Sequence, residues 1–108
     1  MSLYKTWLND QFTDYTFTKS LKGNTVRPGA IVKAESLEKV YEVTNNIEDL
    51  WTKNPEIQQV LTDSRRSLSV GDLVHDLDEN KFYVVQSFGF DEVSDEEYEA
   101  INFEVEEI

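Results

Sequence analysis

Ser69-Val70-Gly71-Asp72-Leu73-Val74-His75-Asp76, then Leu77-Asp78-Glu79-Asn80-Lys81, then Phe82-Tyr83-Val84-Val85, is the stretch that decides the fold. Two apolar runs flank a polar pentapeptide, which predicts an antiparallel hairpin with its reversal near residues 78–81. Val70-Gly71-Asp72 reads as a turn into the first strand, because glycine takes positive φ at no steric cost. Gly89 stands between Phe88 and Phe90 and suggests a bulge or a close backbone approach within the same segment, residues 69–93.

Working outward, Ser94-Asp95-Glu96-Glu97 has the form of a capping box, with Ser94 at the N-cap and Glu97 at N3. Tyr98 and Ile101 then share one face of a short helix. Asn102-Phe103-Glu104-Val105-Glu106 alternates polar with apolar, the pattern of a last strand. Towards the N-terminus, Ser36 is a helix N-cap candidate, and Leu37, Val40 and Tyr41 form an apolar stripe at helical spacing. Asn45-Asn46 would end that helix. Val40, Tyr41, Val43 and Thr44 also favour β structure, so helix and strand both stand for this segment. Residues 46–60 form the least regular stretch, with Trp51 and Ile57 as anchors and Lys53-Asn54-Pro55 as a helix stop. Residues 3–8 read as a strand, Tyr15-Thr16-Phe17-Thr18 as a second, and Ala30-Ile31-Val32-Lys33 as a short third. Lys22-Gly23-Asn24 and Arg27-Pro28-Gly29 are turn signals, the second fitting a type II turn.

These elements give an α+β fold: a small antiparallel sheet with one or two short helices. At 108 residues the chain makes a single compact domain, residues 1–108, ending in an acidic segment, residues 91–108. With no cysteine, the chain has no disulfide, thiolate metal site or cysteine nucleophile. The opening Met1-Ser2-Leu3-Tyr4-Lys5-Thr6-Trp7 has no signal-peptide pattern, and no apolar run is long enough to span a bilayer. Together these point to a cytoplasmic protein with no membrane partner.

The formal net charge is −12, and it is uneven. Residues 1–33 carry five basic groups and two acidic ones, whereas residues 34–108 carry five basic and twenty acidic. After Lys81 come Asp91, Glu92, Asp95, Glu96, Glu97, Glu99, Glu104, Glu106 and Glu107 with no base among them. Direct nucleic-acid binding is disfavoured by this balance, and a basic protein partner is favoured. Asp91, Glu92, Asp95, Glu96, Glu97, Glu99, Glu104 and Glu106 are the candidate partner-binding residues. Carboxylates at fixed spacing on a helix and a strand imitate a phosphate track when their geometry matches, so the sharper expectation is mimicry of DNA towards a DNA-binding enzyme. The competing reading is a solvated acidic surface that confers solubility.

No constellation specifies catalysis. His75 is the single histidine and lacks a cysteine or serine motif beside it, so a strand histidine with a local partner is the simpler reading. Asp72, Asp76, Asp78 and Glu79 invite a calcium loop, but position six from Asp72 is Leu77 rather than glycine, and the pattern fails. Phosphate-binding and dinucleotide glycine patterns are missing. Arg65-Arg66 could grip an anion, or pair with the surrounding excess of carboxylates. No enzyme activity, cofactor or metal is expected.

Arg66-Ser67-Leu68-Ser69-Val70-Gly71-Asp72-Leu73-Val74 resembles a segment of small proteins encoded by bacteriophages and other mobile elements, with the form Arg-Ser-(Leu, Met or Thr)-Ser-Val-Gly-Asp-(Val or Leu)-Val. Phe82-Tyr83-Val84-Val85 and Phe88-Gly89-Phe90 match the strand and glycine–aromatic end that follow it. Upstream, residues 37–45 and Trp51-Thr52-Lys53-Asn54-Pro55 also look similar. The likeness covers residues 37–90. It implies a mobile-element accessory protein and carries no catalytic residues. With the charge, it leads to the expectation of a non-enzymatic interaction protein, in its sharper form an inhibitor of a host nucleic-acid-binding defence system. The alternatives are a structural accessory domain and, last, a small enzyme.

Overall fold

The structure, a computed structural model, describes residues 1–45, 50–64 and 66–104. In chain order these form β1 (Ser2–Asn9), α1 (Phe12–Thr18), β2 (Thr25–Ala34), α2 (Leu37–Val43), a 3-10 turn (Trp51–Lys53), β3 (Ile57–Val60), β4 (Leu73–Asp76), β5 (Lys81–Val85), β6 (Phe90–Glu92), α3 (Asp95–Glu99) and β7 (Asn102–Phe103). The α+β class holds, with three short α-helices among the described residues. One sheet runs in the order β3-β2-β1-β4-β5-β6, and β7 lies beside β2. Every pair is antiparallel except β2–β7.

Side chains alternate across each strand, so each face of the sheet gathers its own core. Tyr4 and Leu8 of β1, Val32 of β2, Val74 of β4 and Val85 of β5 pack with Val40 and Val43 of α2 and with Trp51. On the opposite face Trp7, Val26, Leu73 and Val84 pack with Tyr15 of α1, and with Leu21, Val93 and Ile101. Burying each such aliphatic side chain stabilises the fold by about 1.5–3 kcal/mol.

Arg27-Pro28-Gly29 is not a turn. It lies inside β2, where Gly29 and Ala30 together oppose the single residue Thr6. Such a two-for-one step is a β-bulge, and proline and glycine are tolerated there for the reasons that also favour them in turns. The Thr6 hydroxyl accepts from the Ala30 amide at 2.9 Å. A Cβ on Gly29 would stand 2.4 Å from that hydroxyl. The strand foreseen at residues 30–33 is therefore the second half of a ten-residue strand.

Tyr15-Thr16-Phe17-Thr18 is helical rather than extended. Packing of Tyr15 into the core overrides the β preference of these side chains. The Asn9 side chain starts the turn by accepting from the Gln11 amide at 2.7 Å, and Thr16 bonds back to the Phe12 carbonyl. For residues 37–43 the helical alternative is the observed one. The Ser36 hydroxyl accepts from the Lys39 amide, and Asn45 closes the far end by donating to the Tyr41 carbonyl. Asn46 lies outside the described residues. The stretch judged irregular contains β3, a strand whose polar Gln58-Gln59 centre hid it; Trp51 is buried and Ile57 packs against the core, as anchors.

The hairpin forms as expected, with Leu73↔Val84 and Asp76↔Lys81 in register. At the reversal, Asp76 Oδ1 accepts from the amides of Asp78 and Glu79, and Asn80 takes φ 56°. Gly89 makes neither a bulge nor a close approach. It has φ +81°, nothing lies within 4 Å of its would-be Cβ, and it reverses the chain between β5 and β6. The capping box at Ser94 is complete in both directions. Ile101 is buried just past the helix end, while Tyr98 remains 44 % exposed. The last strand is seen at Asn102–Phe103; Val105 and Glu106 lie outside the described residues.

Gly71 has φ +95°, and a Cβ there would approach the Tyr15 ring to 3.0 Å. Gly89→Ala bears only the positive-φ cost, about 1 kcal/mol. Gly71→Val adds overpacking worth about 1–3 kcal/mol more. Thermal melts are expected to rank Gly71→Val as more damaging than both Gly89→Ala and His75→Ala. An equal or smaller loss for Gly71→Val would remove the steric account of this turn.

Candidate functional site

The acidic residues singled out from sequence divide into two groups. Glu92 pairs with Lys81 at 3.5 Å, and Glu104 pairs with Arg27 at 3.0 Å, where Arg27 also holds Asp10 at 2.8 Å. Asp91 accepts from the Gln86 amide group at 3.1 Å. Glu97 is engaged in the capping box, accepting from the Ser94 amide at 3.2 Å and from its hydroxyl at 3.1 Å. Asp95, Glu96 and Glu99, all exposed on α3, make no hydrogen bond or ion pair among the described residues. Glu106 lies outside the described residues.

The fold brings three of these carboxylates to one place. Asp91, Glu92 and Glu97 line a shallow depression of about 790 Å3, together with Tyr15 and Lys19 from the α1 region and Gln86 and Phe88 from the β5–β6 connection. Gln86 spans it, donating to the Tyr15 hydroxyl at 2.8 Å as well as to Asp91. Burial raises the Tyr15 hydroxyl above its usual pKa. Phe88 stands on the tip of the reversal with 97 % of its surface exposed. Exposed aromatic side chains beside a groove are the common anchors of protein interfaces. In the sequence this residue is marked only as a flank of Gly89: nothing in Ser87-Phe88-Gly89 separates a core phenylalanine from a surface one.

Arg66 and Asp72 resolve the anion question in favour of a local carboxylate. Arg66 Nη1 and Nη2 donate to Asp72 Oδ2 and Oδ1 at 2.7 and 2.9 Å, a bidentate fork. The Asp72 carboxylate is wholly buried and also accepts from the amides of Asn9, at 2.8 Å, and Ser69, at 2.7 Å. Arg66 lies 4.2 Å over the Phe12 ring. Asn9, itself wholly buried, donates to Asn24 Oδ1 and to the Gly71 carbonyl. Burial pushes the Asp72 carboxyl up, against the downward pull of Arg66 and the two amides. Arg65 lies outside the described residues.

His75 has the local partners expected of a strand histidine. Its ring stacks on Phe82, directly opposite in register, at 3.9 Å between centroids and 7° between planes. Nε2 lies 2.8 Å from Asn80 Oδ1. Asp72 and Asp76, two members of the failed calcium pattern, each bind backbone amides instead. Among the described residues no group of three or more His, Cys, Asp or Glu side chains converges as a metal site.

Removing Arg66 leaves a buried carboxylate unpaired, which costs about 3–5 kcal/mol. Arg66→Met is therefore expected to lower stability by that amount at neutral pH in chemical denaturation. A carboxyl whose folded pKa exceeds its unfolded value stabilises below the unfolded value and loses that contribution as pH rises through the folded one. Without Arg66 the Asp72 carboxyl moves further up. The deficit of the variant should thus shrink on acidification and grow towards neutrality. A deficit independent of pH would mean that charge on Asp72 is not what Arg66 stabilises.

No family model, curated protein or solved structure matches this chain.

Proposed function

We propose that this chain is a non-enzymatic binding protein that engages a basic protein partner at the depression between α1 and the β5–β6 reversal. The observation that carries this reading is the pairing of a fully exposed aromatic, Phe88, with three carboxylates that line one concavity. Phe88 supplies the apolar anchor. Asp91, Glu92 and Glu97 border it, and Asp95, Glu96 and Glu99 extend the negative field along α3. Such a field steers a basic surface into contact and sets its orientation.

In its sharper form the partner is a host DNA-binding enzyme of a defence system, and the carboxylates occupy the track of the DNA backbone. The resemblance to mobile-element proteins read from residues 37–90 supports that choice, and on this proposal the protein acts in the host cytoplasm. A catalytic role has less support, since His75, the single histidine, is engaged by Asn80 and Phe82.

The test is cleavage by a panel of restriction and CRISPR nucleases with this protein added. Inhibition near equimolar ratio is expected, weakening as salt rises and relieved by excess duplex DNA. Phe88→Ala should weaken inhibition by more than tenfold, about 1.4 kcal/mol, with an unchanged melt. The triple variant Asp95→Asn, Glu96→Gln, Glu99→Gln, which spares the capping-box Glu97, should reduce inhibition and its salt dependence together. Inhibition that DNA fails to relieve would retain the acidic interface and remove mimicry. No inhibition of any nuclease would return the acids to a solubilising role.

A further inference from the structure

The two faces of the sheet are covered unequally. On the α2 side Tyr4, Val32 and Val74 are buried. On the other side, among the described residues, Tyr98 of α3 and Phe103 of β7 pack on Phe82, and α1 and α3 cover the end that holds Trp7, Leu73 and Val84. Beyond them one row of side chains crosses five strands: Gln59 lies opposite Ile31, Ile31 opposite Lys5, Lys5 opposite His75, and His75 opposite Phe82. Directly opposed residues share a face. Ile31, Lys5, His75 and Phe82 are half-buried and Gln59 is exposed. The next pair along the same face, Leu3 and Lys33, is exposed too.

The chemistry of this row is opposite to that of the chain. In a protein with 22 acidic and 10 basic groups, the row and its neighbouring pair hold two lysines and no carboxylate. Among the described residues neither Lys5 nor Lys33 forms an ion pair. The Lys5 ammonium sits 4.2 Å over the Trp7 ring. Burial lowers its pKa, and no carboxylate opposes that shift.

We infer that this open sheet face is a second docking surface, and that its occupant is a protein segment bearing carboxylates among aliphatic and aromatic side chains. Apolar groups of the occupant lie on Leu3, Ile31 and His75, at the edge of the aromatic cluster that Phe82 forms with Tyr98 and Phe103. Its carboxylates reach Lys5 and Lys33. A second copy of this chain is a poor occupant, because face-to-face contact would set the lysines against themselves and bring two net charges of −12 together. The surface goes beyond the acidic interface described above and stands or falls separately from it.

Amide chemical-shift mapping with a short synthetic peptide alternating glutamate and phenylalanine tests the inference. Shifts are expected at Ile31, Lys5, His75 and Phe82 and not at Phe88 or Asp91. The double variant Lys5→Gln, Lys33→Glu should weaken binding at least tenfold, with its melt measured to confirm folding. The Asp95, Glu96 and Glu99 triple variant should still bind. No shifts on this face, equal binding of the lysine-for-glutamate peptide, or stronger binding there of a single-stranded deoxythymidine oligomer would each overturn the inference.

Discussion

The fork between Arg66 and Asp72 is the constraint on which the rest of the structure depends. Asp72 immediately precedes β4, a central strand, yet its carboxylate holds the Asn9 amide at the end of β1 and the Ser69 amide in the preceding turn. Through Asn9 the same network reaches Gly71, the start of α1 at Gln11, and Asn24 just before β2. A buried charge is tolerable only when paired and hydrogen-bonded. Both oxygens of Asp72 meet that requirement, and they do so by tying the 66–72 turn to the end of β1, from which the Asn9 side chain extends the network to Gln11 and Asn24.

With that junction fixed, the β4–β5–β6 meander and the β1–β2 pair share one sheet, and both proposed surfaces follow from its geometry. The β5–β6 reversal carries Phe88 outward beside Asp91 and Glu92. Helices α1 and α3 cover one end of the adjoining face and, among the described residues, leave the Lys5 row half-buried. Much of the local acid has structural work: Glu97 caps α3, Glu92 meets Lys81 and Glu104 meets Arg27. Exposed pairs of this kind contribute little stability, about 0–1 kcal/mol each. The charge left over on Asp95, Glu96 and Glu99 gives α3 its field.

What was legible in the sequence is what local chemistry determines. The hairpin at residues 73–85, the Ser36 and Ser94 caps and the turn at Gly71 each rest on a few adjacent residues whose hydrogen-bonding and φ preferences suffice. Packing decided the rest. Tyr15 is drawn into a helix by the core, and Pro28-Gly29 serves a bulge because Thr6 lies opposite, 22 positions or more away in the chain. The polar β3 is held as a strand by β2. Of the acidic surface, sequence revealed the residues but not their division into engaged and unengaged carboxylates. Phe88 was invisible as an anchor, and the Lys5 row was illegible because its members come from five strands.

Native-state hydrogen exchange at the Asn9 and Ser69 amides tests the central claim most directly. These two protons are held by the Asp72 carboxylate rather than by a strand partner. If the Arg66–Asp72 fork organises the fold, they exchange only through global unfolding, with the same free energy as the core amides of β1 and β4. Exchange of both at a free energy several kcal/mol lower, with the sheet still protected, would show the fork to be a peripheral contact that the fold does without.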